Sequence, residues 1–298
     1  AGFLIEASGP ARASLVCSDG DFTANGEEGV RADGASLTVE RCIVRGNGTT
    51  GEAGVSCNPP PGVQVAPSQT RVLIMVATDT SGNAGSGVYA NNAFVDIREG
   101  VSNDNGGHGL HQVANDMIVA PDMRTNYNNP RSNRATISSG GNGGSGVLLE
   151  TDASIDFALD LRSCVLNGNT GDGARAVNAS LTFHRCQTSG NTGHGVAMAG
   201  SGGGGPYFCG KTDHFAIDNG GSGLDADGDG LLDVELARCV YSGNGGHGIR
   251  GVLGGTDGSI AGTLADVRVE SNGAGGVLMD CPRVDVAFRG GSSSGNGG

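Results

Sequence analysis

One pattern, Asn-x-Gly-x-Gly followed by an aliphatic residue, recurs along this 298-residue chain and limits the folds open to it more than any other feature. It reads Asn83-Ala-Gly-Ser-Gly-Val88, Asn105-Gly-Gly-His-Gly-Leu110 and Asn142-Gly-Gly-Ser-Gly-Val147. Further on come Asn191-Thr-Gly-His-Gly-Val196, Asn219-Gly-Gly-Ser-Gly-Leu224, Asn244-Gly-Gly-His-Gly-Ile249 and Asn272-Gly-Ala-Gly-Gly-Val277. Looser copies begin at Asn25, Asn47 and Asn169, and a truncated one begins at Asn296. Successive asparagines are 22, 36, 22, 37, 27, 22, 28, 25, 28 and 24 residues apart. The shortest interval occurs three times, so the longer ones read as that unit plus an insertion.

The unit itself has a simple anatomy. After Asn25 the chain passes Val30, then Leu37-Thr-Val39 and Cys42-Ile-Val44, and reaches Asn47. After Asn169 the matching places carry Leu181-Thr-Phe183 and Cys186. Apolar residues alternate with polar ones at period two, the signature of strands with one face inward. Three short strands separated by turns fit a coil of this length. Stacked coils then form three parallel sheets with strands ~4.8 Å apart. The pattern predicts an all-β, right-handed parallel β-helix of ten to eleven coils, one domain over residues 1–298. In this reading the glycines serve sharp turns, where positive φ costs other residues most. The asparagines tolerate left-handed backbone, and side-chain amides stacked from coil to coil form a ladder. Asn25, Asn47, Asn83, Asn105, Asn142, Asn169, Asn191, Asn219, Asn244 and Asn272 are its predicted rungs. The interval excludes propeller blades, which need about 40–45 residues each.

The Ser-Gly-Asn-x-Gly-x-Gly units from Ser81, Ser189 and Ser242 resemble the parallel β-helix repeats of the pectate-lyase-like superfamily. That superfamily includes polysaccharide lyases, polygalacturonases, alginate epimerases and bacterial surface proteins. The resemblance covers nearly the whole chain and implies the fold and a secreted or cell-surface location. It does not imply one activity, because a fold of this kind hosts many. The Asp-Asp pair and Arg-x-Lys of polygalacturonases are absent, as is the Asp-Pro-His-Glu of alginate epimerases.

Charge narrows the partners. The net charge is −13 and Lys211 is the single lysine, so counterion release on nucleic acid has no source. No apolar run approaches the ~18 residues needed to span a bilayer as a helix. The chain starts within a strand pattern and stops partway through a repeat. Head-to-tail self-association, or continuation of the solenoid in a longer chain, follows as an expectation.

Cys42, Cys164, Cys186 and Cys239 each lie five residues before a repeat asparagine, which puts them in one inward column. Buried cysteine commonly serves as a small hydrophobe. Cys164 and Cys186 also fall in adjacent coils, within the Cα separation a disulfide tolerates. Cys57 and Cys281 are expected at coil corners.

Two candidate sites stand out. Asp225-Ala-Asp227-Gly-Asp229-Gly-Leu-Leu-Asp233 spaces its carboxylates like the first part of a calcium loop, with glycine at the turn and without the closing glutamate. Calcium is therefore the expected cofactor, against the plainer reading of a solvated acidic turn. The second candidate is the longest insertion, His111 to Arg134. Its Asp122, Arg124, Tyr127, Arg131 and Arg134 suit an acidic sugar or an acidic protein surface in a chain otherwise poor in aromatics. Insertions at 57–70, 112–133, 200–213, 225–231 and 253–258 fall at one corner and predict a wall along one side of the rod. His108, His194 and His247 share one variable turn slot, which favours exposed turn residues over catalytic ones. Two functions follow. The first is a rod-like structural or adhesive module that binds a polysaccharide or surface protein. The second is a calcium-assisted lyase or hydrolase of acidic glycans.

Overall fold

The computed structural model describes residues 2–6, 13–58, 71–114, 133–152, 157–200 and 207–297, and all regular structure among them is β-strand. Every strand pair is parallel, and the strands fall into three sheets that wind around one core. The coil after Asn169 shows the unit: Ala174–Val177 in the first sheet, Ser180–His184 in the second and Gln187–Ser189 in the third. Each pairs in register with the strand one coil on, as Ala174 does with Val196, Leu181 with Cys209 and Thr188 with Ala216. The parallel β-helix is therefore present as the repeat predicts.

The asparagines do form a continuous ladder. The Nδ2 of Asn25 donates to the Oδ1 of Asn47 at 2.7 Å, and this step repeats without a break to Asn296. Each Oδ1 also accepts the backbone N–H of the preceding asparagine; that of Asn191 accepts from Asn169 at 2.9 Å. The second Nδ2 hydrogen caps a buried carbonyl, as Asn191 does for Leu166 at 2.9 Å. From Asn47 to Asn272 these side chains are buried.

Two expectations about the turn are corrected. The left-handed residue is the one before each asparagine, such as Gly168 (φ 66°) or Asp218 (φ 54°), rather than the asparagine. The motif glycines answer to close approach instead. A Cβ on Gly109 would sit 1.7 Å from Ser139 Oγ, and one on Gly106 would sit 2.1 Å from the Ala84 carbonyl of the neighbouring coil. Coils meet there backbone to backbone, and only glycine leaves room.

The core is built mostly of aliphatic side chains and cysteine, with a few phenylalanines such as Phe94, Phe157 and Phe183. Cys42, Cys164, Cys186 and Cys239 are buried in the predicted column, and Cys57, expected at a corner, is buried too, because Val55–Asn58 turns it inward. All eight cysteines are free thiols. Cys164 and Cys186 stack one coil apart, with the Cys164 amide donating to Cys186 Sγ at 3.3 Å. In that same column His214 takes the cysteine position. With it, Lys211 and Tyr241 are fully buried. Neither Lys211 Nζ nor His214 Nδ1 has a hydrogen-bond partner, and Tyr241 Oη has nothing stronger than the Cys239 thiol beside it. Lys211 Nζ lies 5.1 Å from the Phe183 ring centre and 5.4 Å from that of Tyr241. Burial pushes the lysine and histidine pKa values down and the tyrosine up.

Candidate functional site

Outward residues of the first sheet line up in columns along the rod. Six residues after successive ladder asparagines come Tyr89, His111, Leu148 and Arg175, and the register pairs them rung by rung. Two places further along each strand, Glu150 stands beside Val113. In the turn before these strands lie Ser86, His108, Ser145 and Asp172. Parallel stacking thus gathers residues distant in sequence onto one face, about 5 Å per rung.

Their contacts are specific. His111 Nε2 lies 2.8 Å from Glu150 Oε2. A carboxylate can only accept, so this nitrogen carries the hydrogen, and in the neutral ring Nδ1 is then the lone-pair nitrogen. The His111 ring meets the Tyr89 ring edge-on at 5.1 Å between centroids, and the His108 ring at the same distance. His108 faces the opposite way in hydrogen bonding: its Nδ1 accepts the Ser145 N–H at 2.8 Å, so its hydrogen is on Nε2. Burial and the neighbouring His111 hold the His108 pKa below its usual value. Burial, reinforced by the Glu150 charge, raises that of Tyr89 and keeps the phenol protonated. Leu148 is buried and forms an apolar floor between His111 and Arg175. Arg175 donates to Asp172 at 3.3 Å and leaves nearly half its side chain exposed. The face therefore offers an imidazole nitrogen, a protonated phenol and a guanidinium along one column.

The histidines of the turn slot divide. His194 and His247 repeat the structural bond of His108, accepting N–H groups of Ser222 at 2.9 Å and Gly275 at 3.0 Å. His108 makes that bond and also borders the site. His111, Tyr89, Glu150 and Arg175 went unread in the sequence. The signal was the register: counting from the ladder asparagine places the first, second and fourth in one column.

The acidic motif folds otherwise than a calcium loop. Residues 224–237 form one strand, Leu224–Ala237, that runs from the first sheet into the second. Arg250 Nη1 lies 3.0 Å from both Asp225 oxygens, and its Nη2 lies 3.0 Å from Asp227. Asp229 stands before a register shift, and Asp233 belongs to the second sheet beside Phe208 and Ala261. Carboxylates strung along extended backbone do not surround a centre, and two of them already neutralise an arginine. Among the described residues no three His, Cys, Asp or Glu side chains converge as metal ligands. These residues do not fit calcium. The stretch 225–231 is mostly paired strand and adds no wall, whereas 255–258 leave the ladder, since Gly254 pairs with Asp229 and Ser259 with Leu231, so four residues bulge opposite Gly230.

Of the insertion candidates, Asp122, Arg124, Tyr127 and Arg131 lie outside the described residues. Arg134 lies on the second sheet, where it and Arg98 clamp the buried Asp96. Arg134 Nε is 2.9 Å from Asp96 Oδ1 and Arg98 Nη2 is 2.6 Å from Oδ2. Burial works to raise the Asp96 pKa, and the two guanidinium groups outweigh it and leave it lowered.

No protein-family model matches the chain, and no curated protein does. Among solved structures it is similar to the periplasmic alginate epimerase AlgG, with a TM-score of 0.55 at 13% identity over 87% of this chain and 61% of that one. It therefore spans less than two thirds of that neighbour. The Azotobacter vinelandii mannuronan C-5 epimerase AlgE4 A-module aligns over 95% of this chain and 88% of that one, at 10% identity and a TM-score of 0.36. At this level the likeness to AlgG shows the fold, a parallel β-helix.

Proposed function

We propose that this chain acts on acidic glycans by removing the C5 proton of a uronosyl residue, with His111 as the base. The observation that carries the reading is the His111–Glu150 pair beside Tyr89, outward on one column of the first sheet. A glycan laid along the rod crosses these rungs in order. Leu148 supports a ring face, and Arg175 offsets the uronate charge, which makes the C5 proton more acidic. His111 Nδ1 takes that proton; the C5–H bond breaks and its electron pair passes into the carboxylate as an enolate. Glu150 fixes the tautomer and stabilises the imidazolium that forms, as an orienting carboxylate does elsewhere. Tyr89 then gives its proton to the glycosidic oxygen as the C4–O bond breaks, or water protonates C5 from the open side. The first course is elimination and the second is epimerisation, the activity named for the AlgG neighbour. None of these steps requires a metal. A secreted or periplasmic setting suits a polymeric substrate, and among the described residues no helix is long and apolar enough to cross a membrane.

The test is incubation with uronate polymers in D2O. Deuterium at C5, or a conjugated C4–C5 double bond, is the expected product, and His111→Ala should slow its formation by about 10²–10⁴-fold. Retained binding with no exchange on any uronate polymer would instead favour the rod as an adhesive module.

A further inference from the structure

The second sheet carries a pocket of its own, one face round from the His111 column. Its volume is about 260 Å³. Side-chain size along two outward columns explains it. In one, Gly210 stands between Thr182 and Glu235, so the middle rung has no side chain. In the other, Ala237 and Ala265 follow His184 and Thr212, and the surface drops. Glycine and the two alanines make the floor. Thr182, Thr212 and Thr263, with His184 and Glu235, make the walls.

The chemistry of these walls is uncharged or acidic. Three threonine hydroxyls each donate and accept, and the Glu235 carboxylate can accept from two neighbouring hydroxyls. No arginine or lysine head lines the pocket. Lys211 contributes only its strand, since its ammonium end points into the core. Arg162 is committed to Asp160 Oδ2 at 2.6 Å. Just behind the rim, Asp160 Oδ1 is buried without a hydrogen-bond partner, 3.6 Å from His184 Nε2. A modest swing of that imidazole would bond the two. The volume falls below the ~300–1,000 Å³ of drug-sized pockets, which leaves room for a single ring.

We infer that this pocket binds one neutral sugar residue, separately from the His111 column of the first sheet. A uronate is excluded because its carboxylate would face Glu235 with no cation to offset it. The inference does not rest on the proposed activity. Calorimetry or ligand-observed NMR with neutral methyl hexosides should give millimolar binding, and the matching methyl uronosides should bind at least about tenfold more weakly, a gap of ~1.4 kcal/mol. Ala237→Trp fills the floor from outside the core and should abolish binding. Thr263→Val, nearly the same shape, should weaken it several-fold, and Glu235→Gln should narrow the gap between neutral sugar and uronate. His111→Ala should leave all of these values unchanged. No binding across the neutral panel, equal or tighter binding of uronates, or binding that survives Ala237→Trp would each overturn the assignment.

Discussion

Two buried polar regions of this rod lie a few ångströms apart and are built on opposite terms. At the turn, the asparagine ladder buries one amide per coil and meets every hydrogen-bonding capacity of each. In the core beside it, Lys211, His214 and Tyr241 bury three polar heads and leave Lys211 Nζ and His214 Nδ1 without partners. The difference is repetition. An amide that recurs at the same place in every coil finds its partner in the next copy, so the geometry that satisfies one satisfies all. Lys211 stands in a column whose neighbours are Phe183 and Leu236, and neither offers an acceptor. Burial of polar groups is thus compatible with stability where the lattice of coils supplies the complement, and costly where a single coil departs from it.

The largest effect should come from breaking the ladder. Asn169→Ala removes the acceptor shared by the Asn142 Nδ2 and backbone N–H, and takes from Asn191 Oδ1 one of its two donors. Unfolding by urea should show a loss of about 3 kcal/mol or more. A loss under about 1 kcal/mol would mean that the ladder is ornament to a fold held by other means. Next comes the opposite sign in the core: Lys211→Met keeps the length and removes the orphaned amine. It should raise stability by about 1–3 kcal/mol. A destabilised variant would show that the amine has a partner and that the contrast is false.

A smaller, pH-dependent effect separates the two regions further. His214 titrates well below 6.5 in the folded chain because burial, then Lys211, disfavour its charge. Its folded pKa is depressed, so the unfolded state binds the extra proton first. Stability should be whole above pH 6.5 and decline as pH falls below it, by at most about 1.4 kcal/mol per pH unit. His214→Phe should flatten that slope, while Asn169→Ala should keep it. The smallest effect is expected at the acidic strand. With Asp225 and Asp227 held by Arg250, millimolar calcium should move the thermal midpoint by less than about 1 °C. A larger rise, lost in Asp227→Ala, would restore the metal reading.

The fold was legible because its information is periodic. Register, three sheets, the inward cysteines and the ladder all follow from spacings between like residues. The site was not, because its members have nothing in common except their place in the coil. Tyr89, His111, Glu150 and Arg175 come from four different repeats, and local pattern matching sees each as a variable position. The Asp225–Asp233 motif folds differently from its spacing for the converse reason. Its spacing is that of a loop, but pairing with Tyr207–Thr212 and Ile249–Ala265 holds the residues on either side of Gly230 in two sheets. Cys57 was misplaced by one strand boundary, which is enough to reverse a side chain.

Each coil offers its neighbours above and below nearly identical edges: one amide of the ladder, three short strands and a glycine step where backbones touch. A lineage carrying such a gene could lengthen or shorten the rod by tandem duplication or deletion of a whole unit, as from Asn169 to the residue before Asn191, without inventing a new junction. Partial units would break the ladder and be purged. Selection on reach and selection on chemistry can then proceed apart, the one counting coils and the other exchanging the outward residues within them.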